Sequence, residues 1–188
     1  MKKIIFISSL LAAIASTQTM AQDAAWYVSG AVGQSDFKVN AGDVPPGVTI
    51  DKKDTSFGFA VGYNFSKIIA LEAGYLSMGK AKFSGNFFGP VSGDVKVEAP
   101  HISAIISAPI AEGFSLYGRL GAARTDTKAK VCFTGAGGCF VNSEKQNELF
   151  YGVGLGFAFT RNLTATIEYQ KLDKSEVQAI NAGLRLSF

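Results

Sequence analysis

His101-Ile102-Ser103 is the place in this chain of 188 residues where an imidazole sits beside a hydroxyl. A hydroxyl nucleophile needs a base within hydrogen-bond reach, and the base needs a third group to orient it. Alternation puts His101, Ser103, Ile105 and Ser107 on one face and Ile102, Ala104, Ile106 and Ala108 on the other. No acid can be assigned to His101 from the sequence, so the plainer reading is a histidine packed on that face or at its rim. Four charges share the same kind of face: Glu72, Arg119, Glu168 and Arg185. Arg119 and Glu168 lie equally far from Phe114 and Leu163, where their segments begin, and are expected at similar depth. A buried charge left alone is costly, so Arg119 and Glu168 are expected to pair. Such a set could line an ion path, or it could plug and fix an interior; the plug is the favoured reading. No Gly-rich phosphate loop, metal-ligand cluster or triad spacing appears elsewhere, so no cofactor and no metal are expected.

The remaining reactive side chains are Cys132 and Cys139, the only two cysteines, in Cys-Phe-Thr-Gly-Ala-Gly-Gly-Cys. No further Cys or His stands near them to complete a metal site. In an exported chain a disulfide is the expected state. By loop-closure entropy it is worth on the order of 2–3 kcal/mol, enough to restrain a Gly-rich loop.

Positioning these groups falls to eight segments with period two. They are Ala25–Phe37, about Asp54–Phe65, Ile69–Lys80, about Lys96–Pro109, Phe114–Thr127, about Asn147–Thr160, Leu163–Asp173 and the terminal run to Phe188. The second sets Phe57, Phe59, Val61, Tyr63 and Phe65 against Ser56, Gly58, Ala60, Gly62 and Asn64. Bulk on one face and small or polar residues on the other suit a narrow barrel whose outside meets lipid. Three connections are tight, at Ser66-Lys67-Ile68, Ile110–Gly113 and Arg161-Asn162. Three are long, roughly Lys38–Lys53, Ala81–Val95 and Lys128–Gln146; the last, about Lys174-Ser175, is short. Short turns at one end and long loops at the other predict an all-β fold, an eight-stranded antiparallel up-and-down transmembrane β-barrel. Pro100 interrupts the fourth strand, either near the outer rim or at a bulge.

The ends agree. Residues 1–21 read as a signal peptide, with Lys2 and Lys3, an apolar stretch from Ile4 to Ala15 and Thr19-Met20-Ala21 for cleavage. The barrel domain is then 22–188. Formal net charge is +3, and without Lys2 and Lys3 the 18 basic residues fall to 16 against 15 acidic ones, which argues against nucleic acid. No apolar run reaches the length of a spanning helix. Phe188 closes an alternating strand and is expected to act as an assembly signal.

Several stretches resemble the transmembrane domain of the OmpA family. They are Ala25–Ala31, Gly62–Phe65, Leu71–Tyr75, Ala108-Pro109-Ile110, Leu116–Gly121 and Ile167–Gln170, in that order. The resemblance covers most of the chain after residue 21, and it implies an integral outer-membrane barrel with structural, surface-interaction and, in some members, small-pore roles. It places Glu72, Arg119 and Glu168 in that family's interior charged network. Ile105 stands where the family keeps an interior lysine, which leaves Glu72 one partner fewer. The resemblance also implies a minimal build, like the small OmpX-like and opacity-type surface proteins, without the family's periplasmic peptidoglycan-binding domain. The expected function is a structural and surface-interacting barrel in the bacterial outer membrane: envelope integrity, adhesion or a surface antigen. A low-conductance pore is the second reading. A lipid A-modifying enzyme using His101 and Ser103 is the third, and it is disfavoured because both residues point away from acyl chains. Expected partners are outer-membrane lipid and lipopolysaccharide, the barrel-assembly machinery and an unidentified extracellular partner, with the barrel a monomer. Lys52, Lys53, Lys80, Lys82, Lys96, Lys128 and Lys130 could meet lipopolysaccharide phosphates. Asp43, Asp51, Asp54, Asp94, Glu98 and Asp126 dilute that charge toward a solvated rim.

Overall fold

The computed structural model describes residues 25–37, 48–86, 90–133 and 138–188. The expected signal peptide at 1–21 and most of the first long connection, with Asp43, lie outside the described residues. Strands run as β1 Ala25–Phe37, β2 Val48–Asp51, β3 Lys53–Asn64, β4 Ile69–Asn86, β5 Pro90–Ala111, β6 Phe114–Phe133, β7 Gly138–Ala158, β8 Leu163–Leu172 and β9 Val177–Ser187. Sequential neighbours pair antiparallel from β3 to β9, and β1 closes the ring against β3 and β9. The ring therefore has eight strands, with β2 appended to the outer part of β4.

Register fixes the shape of the ring. Tyr27 is opposite Gly62, Gly62 opposite Glu72, Glu72 opposite Ser103, and Ser103 opposite Gly121. The path continues through Phe150, Leu172 and Val177 and arrives at Phe37, ten residues beyond its start (37 less 27). A stagger of ten over eight strands, with strand spacing and rise at their usual values, tilts the strands by about 40° and leaves a backbone cylinder about 16 Å across. Side chains from facing walls meet in a tube of that width.

Bulk faces outward. Val32, Phe57, Ile102, Ile106, Leu120, Ile167 and Ile180 are all at least half exposed. In water such a band would be a liability; a bilayer covers it. Aromatic rings edge the band. At the end where β1 begins, β9 ends and the tight turns lie, Trp26 packs on Tyr63 with centroids 5.2 Å apart, and Phe114 packs on Phe157 at 4.6 Å. Tyr75, Tyr151 and Tyr169 stand on the outward face near the other end. No helix among the described residues is long and apolar enough to cross a membrane.

Two expectations change. The regions read as loops at Ala81–Val95 and Lys128–Gln146 are mostly strand: β4 and β5 pair out to Asn86 and Pro90, β6 and β7 out to Phe133 and Gly138. Part of the first long connection forms β2. Beyond the lipid both faces of a strand meet water, so the alternation that reveals strands in the membrane disappears while the backbone ladder continues. Pro100 marks no bulge. It lies opposite Tyr75 on β4, and the β6 ladder skips Ala99 and Pro100 and resumes in the same register. The bulge is on β4 between Ser77 and Lys80, where Gly79 takes φ 75°, a left-handed conformation suited to glycine.

Because each barrel strand is paired on both sides within the membrane, the fold is expected to survive detergent until heated. Unheated and boiled samples should migrate differently on a detergent gel, and identical migration would contradict a closed ring.

Candidate functional site

Arg119 projects from β6 into the centre of the tube. Its Nε donates to Glu168 Oε1 at 2.6 Å and its Nη2 to Glu168 Oε2 at 3.1 Å, a bidentate pair. Its Nη1 donates to Glu72 Oε1 and, at 3.1 Å, to Ser103 Oγ. Glu72 is on β4 and Glu168 on β8, four places apart in a ring of eight, so one guanidinium joins opposite walls. Tyr27 from β1 donates its hydroxyl to Glu72 Oε2 at 3.0 Å, and Tyr117 donates to Glu168 Oε2 at 3.0 Å. Each carboxylate is thus held by the arginine and by one phenol. All five side chains are buried.

Glycines on the same face make the room. A Cβ at Gly62 would lie 2.1 Å from the Tyr27 ring, and one at Gly154 would lie 2.6 Å from the Tyr117 ring. Ile105 is fully buried in a cluster with Tyr27, Ala70 and Tyr117. Apolar packing therefore occupies the position where the family resemblance had suggested a cation.

Arg185 enters differently from its sequence-level grouping. Its guanidinium lies over the Tyr27 ring at 4.4 Å and the Tyr117 ring at 5.8 Å, and its buried Nε has no hydrogen-bond partner. It joins the network through aromatic faces rather than through a carboxylate. Two arginines and two glutamates leave the cluster formally neutral.

His101 and Ser103 do face inward. The acid that could not be assigned to His101 is Glu72, whose Oε1 lies 3.8 Å from His101 Nε2. Neither imidazole nitrogen has a hydrogen-bond partner, and the ring packs on Phe150 with centroids 4.6 Å apart. Ser103 Oγ accepts from Arg119. An arginine beside the hydroxyl, and an imidazole not hydrogen-bonded to it, lack the base–nucleophile contact that hydroxyl attack requires. No group of three or more His, Cys, Asp or Glu that could hold a metal ion occurs among the described residues.

Sequence reading missed Glu148 on β7. It is buried, accepts from the Thr125 hydroxyl, and accepts from the Ser175 backbone N–H at 2.8 Å. Its parity with Phe150 was the available signal. Above the charged layer, toward the long hairpins, Phe37, Leu76, Met78, Phe150, Leu172 and Val177 form one buried apolar cluster.

Outside, Glu98 receives Lys96 Nζ at 2.7 Å, Lys128 Nζ at 3.2 Å and the Tyr75 hydroxyl. Lys128 and Lys145 also approach Asp126, at 3.8 and 3.9 Å. Hydrogen bonds from Lys96 first, then Tyr75, hold the Glu98 carboxyl down to about 2 against partial desolvation. At the hairpin tip Cys132 and Cys139 are cross-strand partners joined by a disulfide, with Cα atoms 4.1 Å apart. Phe188 donates its backbone N–H to Trp26 O at 2.9 Å beside the barrel seam.

Comparison with known proteins places this geometry. Residues 7–188 match the family described as outer membrane protein beta-barrel domain. Outer membrane protein A of Shigella flexneri is 26% identical over 172 residues, covering 90% of this chain and 47% of that protein. Outer membrane protein A of Escherichia fergusonii is 27% identical over 177 residues, again 47% of its length. The chain spans about half the length of these relatives. Among solved structures, Ail of Yersinia pestis with the heparin analogue sucrose octasulfate superposes with TM-score 0.56 at 23% identity, covering 89% of this chain and all of that one. The N-terminal barrel domain of Pseudomonas aeruginosa OprF gives 0.51 at 14%, covering 90% of this chain and all of its own. These two likenesses speak for the fold.

Two measurements test the site. Arg119→Met should strand both carboxylates and cost about 3–5 kcal/mol, whereas Glu168→Gln, which leaves Arg119 on Glu72, should cost less. The double variant should cost less than the sum, and simple additivity in urea unfolding from lipid vesicles would remove the coupling. At the rim, the depressed Glu98 carboxyl contributes stability that is present above its ordinary value of 4.5 and lost as pH falls toward 2. Amide exchange in the outer part of the β5–β6 ladder, corrected for intrinsic rates, should therefore rise between pH 6 and pH 3, and less so in Glu98→Gln.

Proposed function

Since the chain belongs to the outer membrane protein beta-barrel domain family, we propose that this integral outer-membrane barrel is a closed structural pillar carrying a rigid extracellular sheet for surface contacts. It serves envelope integrity or adhesion rather than catalysis or bulk transport. The observation that carries the proposal is the filled interior. The neutral Arg119 cluster crosses the tube, and the apolar cluster around Phe37, Met78 and Phe150 occupies it on the extracellular side. An ion entering from outside would have to displace packed hydrocarbon before reaching the Arg119 cluster, a barrier that a tube about 16 Å across leaves no way around.

The extracellular sheet suits display. β6 and β7 run 20 and 21 residues, roughly twice what the bilayer needs at this tilt, and stay paired to a disulfide-braced tip. At that tip Phe140 and Val141 are 65% and 68% exposed.

The reading of His101 and Ser103 as interior residues supports the non-enzymatic assignment. His101→Ala and Ser103→Ala should leave the host's lipid A profile unchanged by mass spectrometry. Bilayer recordings of the refolded barrel should show rare, small openings at most. Large, steady, ion-selective currents would promote a pore over a pillar. In cells, deleting Phe188 should reduce the amount inserted while detergent refolding stays largely intact; unchanged insertion would remove its role as an assembly signal.

A further inference from the structure

Taken over its whole height, the buried interior holds more acids than cations. The carboxylates of Glu72, Glu148 and Glu168 are buried. Two guanidiniums answer them: Arg119 by ion pairs, and Arg185 from the faces of Tyr27 and Tyr117. Glu148 is held by the Thr125 and Ser175 hydroxyls and the Ser175 N–H, and among the described residues no cation pairs with it. Lys174, in the adjoining turn, donates its ammonium to Asn147 O at 2.8 Å instead. Three acids against two cations leave the interior one positive charge short, and a buried charge without its counterpart is costly.

His101, the chain's single histidine, stands where that charge is missing. Its cross-strand partners are Gly74 on β4 and Ala123 on β6, and Ala123 is also the partner of Glu148. Small neighbours make room for the ring: a Cβ at Gly74 would lie 3.0 Å from its Cε1. His101 is only 9% exposed, and both ring nitrogens are buried without a hydrogen-bond partner. A neutral imidazole held so forfeits a donor and an acceptor. Nε2 lies 3.8 Å from Glu72 Oε1, about 1 Å beyond hydrogen-bond range, so a small rotation of a charged ring makes a charge-assisted bond. The other charged or titratable groups that face it are Arg119 and Tyr117 from β6, Glu148 from β7, Glu168 from β8, Arg185 from β9 and Tyr27 from β1. From β3 there is Asp54, which caps the Lys80 N–H at the rim. Arg119 opposes a further cation, but Glu72 and Glu168 already engage it. A cavity of about 40 Å³ along His101, Arg119, Gln170 and Arg185 has room for a water to carry the proton.

We infer that His101 is a proton-binding site that completes the charge balance of the interior, its imidazolium fastening β5 to Glu72 of β4 when the surroundings turn acidic. The inference rests on the closed-pillar reading and gives that pillar a firmness set by acidity. The link is present while the imidazole is charged and is lost as pH rises through its titration, so the barrel is firmest on the acid side of neutrality. Between pH 8 and pH 5.5 no other side-chain type ordinarily titrates, so one residue dominates the change. Urea unfolding of the refolded chain from lipid vesicles should give an unfolding constant about three- to tenfold smaller at pH 5.5 than at pH 8. His101→Gln should lose this dependence, and Glu72→Gln should lose most of it. In the parent chain, the nitrogen-15 signals of the single imidazole should move to the doubly protonated form over the same range, a readout that needs no variant to fold. An imidazole still neutral at pH 5.5, a parent stability flat with pH, or an equal dependence in His101→Gln would overturn the site. Full dependence in Glu72→Gln would overturn the link to β4. Steady bilayer currents at pH 5.5 but not at pH 8 would overturn the fastening, because the proton would then loosen the interior. Steady currents at both would count against the closed pillar itself, with the imidazole titration still readable.

Discussion

Desolvation of one guanidinium governs the interior. Removed from water, Arg119 must have opposite charge and acceptors at close range, and the ring supplies them from opposite walls. Glu168 takes two of its donors; Glu72 and Ser103 share a third. The carboxylates in turn need further donors, which explains Tyr27 and Tyr117. The phenols need space, which explains Gly62 and Gly154. The pattern of small and large residues on the inner face thus follows from accommodating a single cation in a tube of fixed width. The stagger of ten residues sets that width and brings β4 and β8 to face one another.

The interior divides into two layers of opposite character. The charged layer is directional: its hydrogen bonds specify which strands face each other, so a slip in register would leave charges unpaired. The apolar layer around Phe37, Met78 and Phe150 is non-directional and closes the tube on the side of the long hairpins. Glu148 sits at the edge of this second layer, where Thr125 and Ser175 satisfy it from β6 and from the β8–β9 turn. Specificity and exclusion are thus assigned to different heights of the same tube.

How far the sequence could disclose this depended on what each residue touches. Within the lipid, alternation was decisive: Ala25–Phe37 appears as a strand with the same bounds by pattern and by structure. Lys82, Asp94 and Lys130 stand in equally regular strands, but in water a polar residue is tolerated on either face and no periodicity marks them. The inward positions of Glu72, Arg119 and Glu168 were legible from parity, and the similar depth of Arg119 and Glu168 from where their segments begin. That Glu72 also belongs to Arg119 was not, because it needs the closed ring. Nor was the acid near His101, which depends on a cross-strand register that places Glu72 opposite Ser103. Arg185 carried the same sequence signal as Arg119 and yet rests on aromatic faces, since the choice between a carboxylate and a ring is made by distances that parity cannot supply.

The seam between β1 and β9 gives this architecture a temporal asymmetry. Ser29 of β1 finds its partner in Arg185, near the other end of the described chain, so the first strand to emerge is the one that waits longest for a neighbour. Until then its backbone groups on that side have no counterpart, and no arc of seven strands can stand in lipid with an unpaired edge. Hairpins can form early and locally, but the final contact is among the most distant in sequence and carries the largest loop-closure cost. Completion of the cylinder must therefore follow arrival of the last strand, so that the passage from translocated polypeptide to membrane-resident barrel is gated by a single late zippering event rather than built up segment by segment.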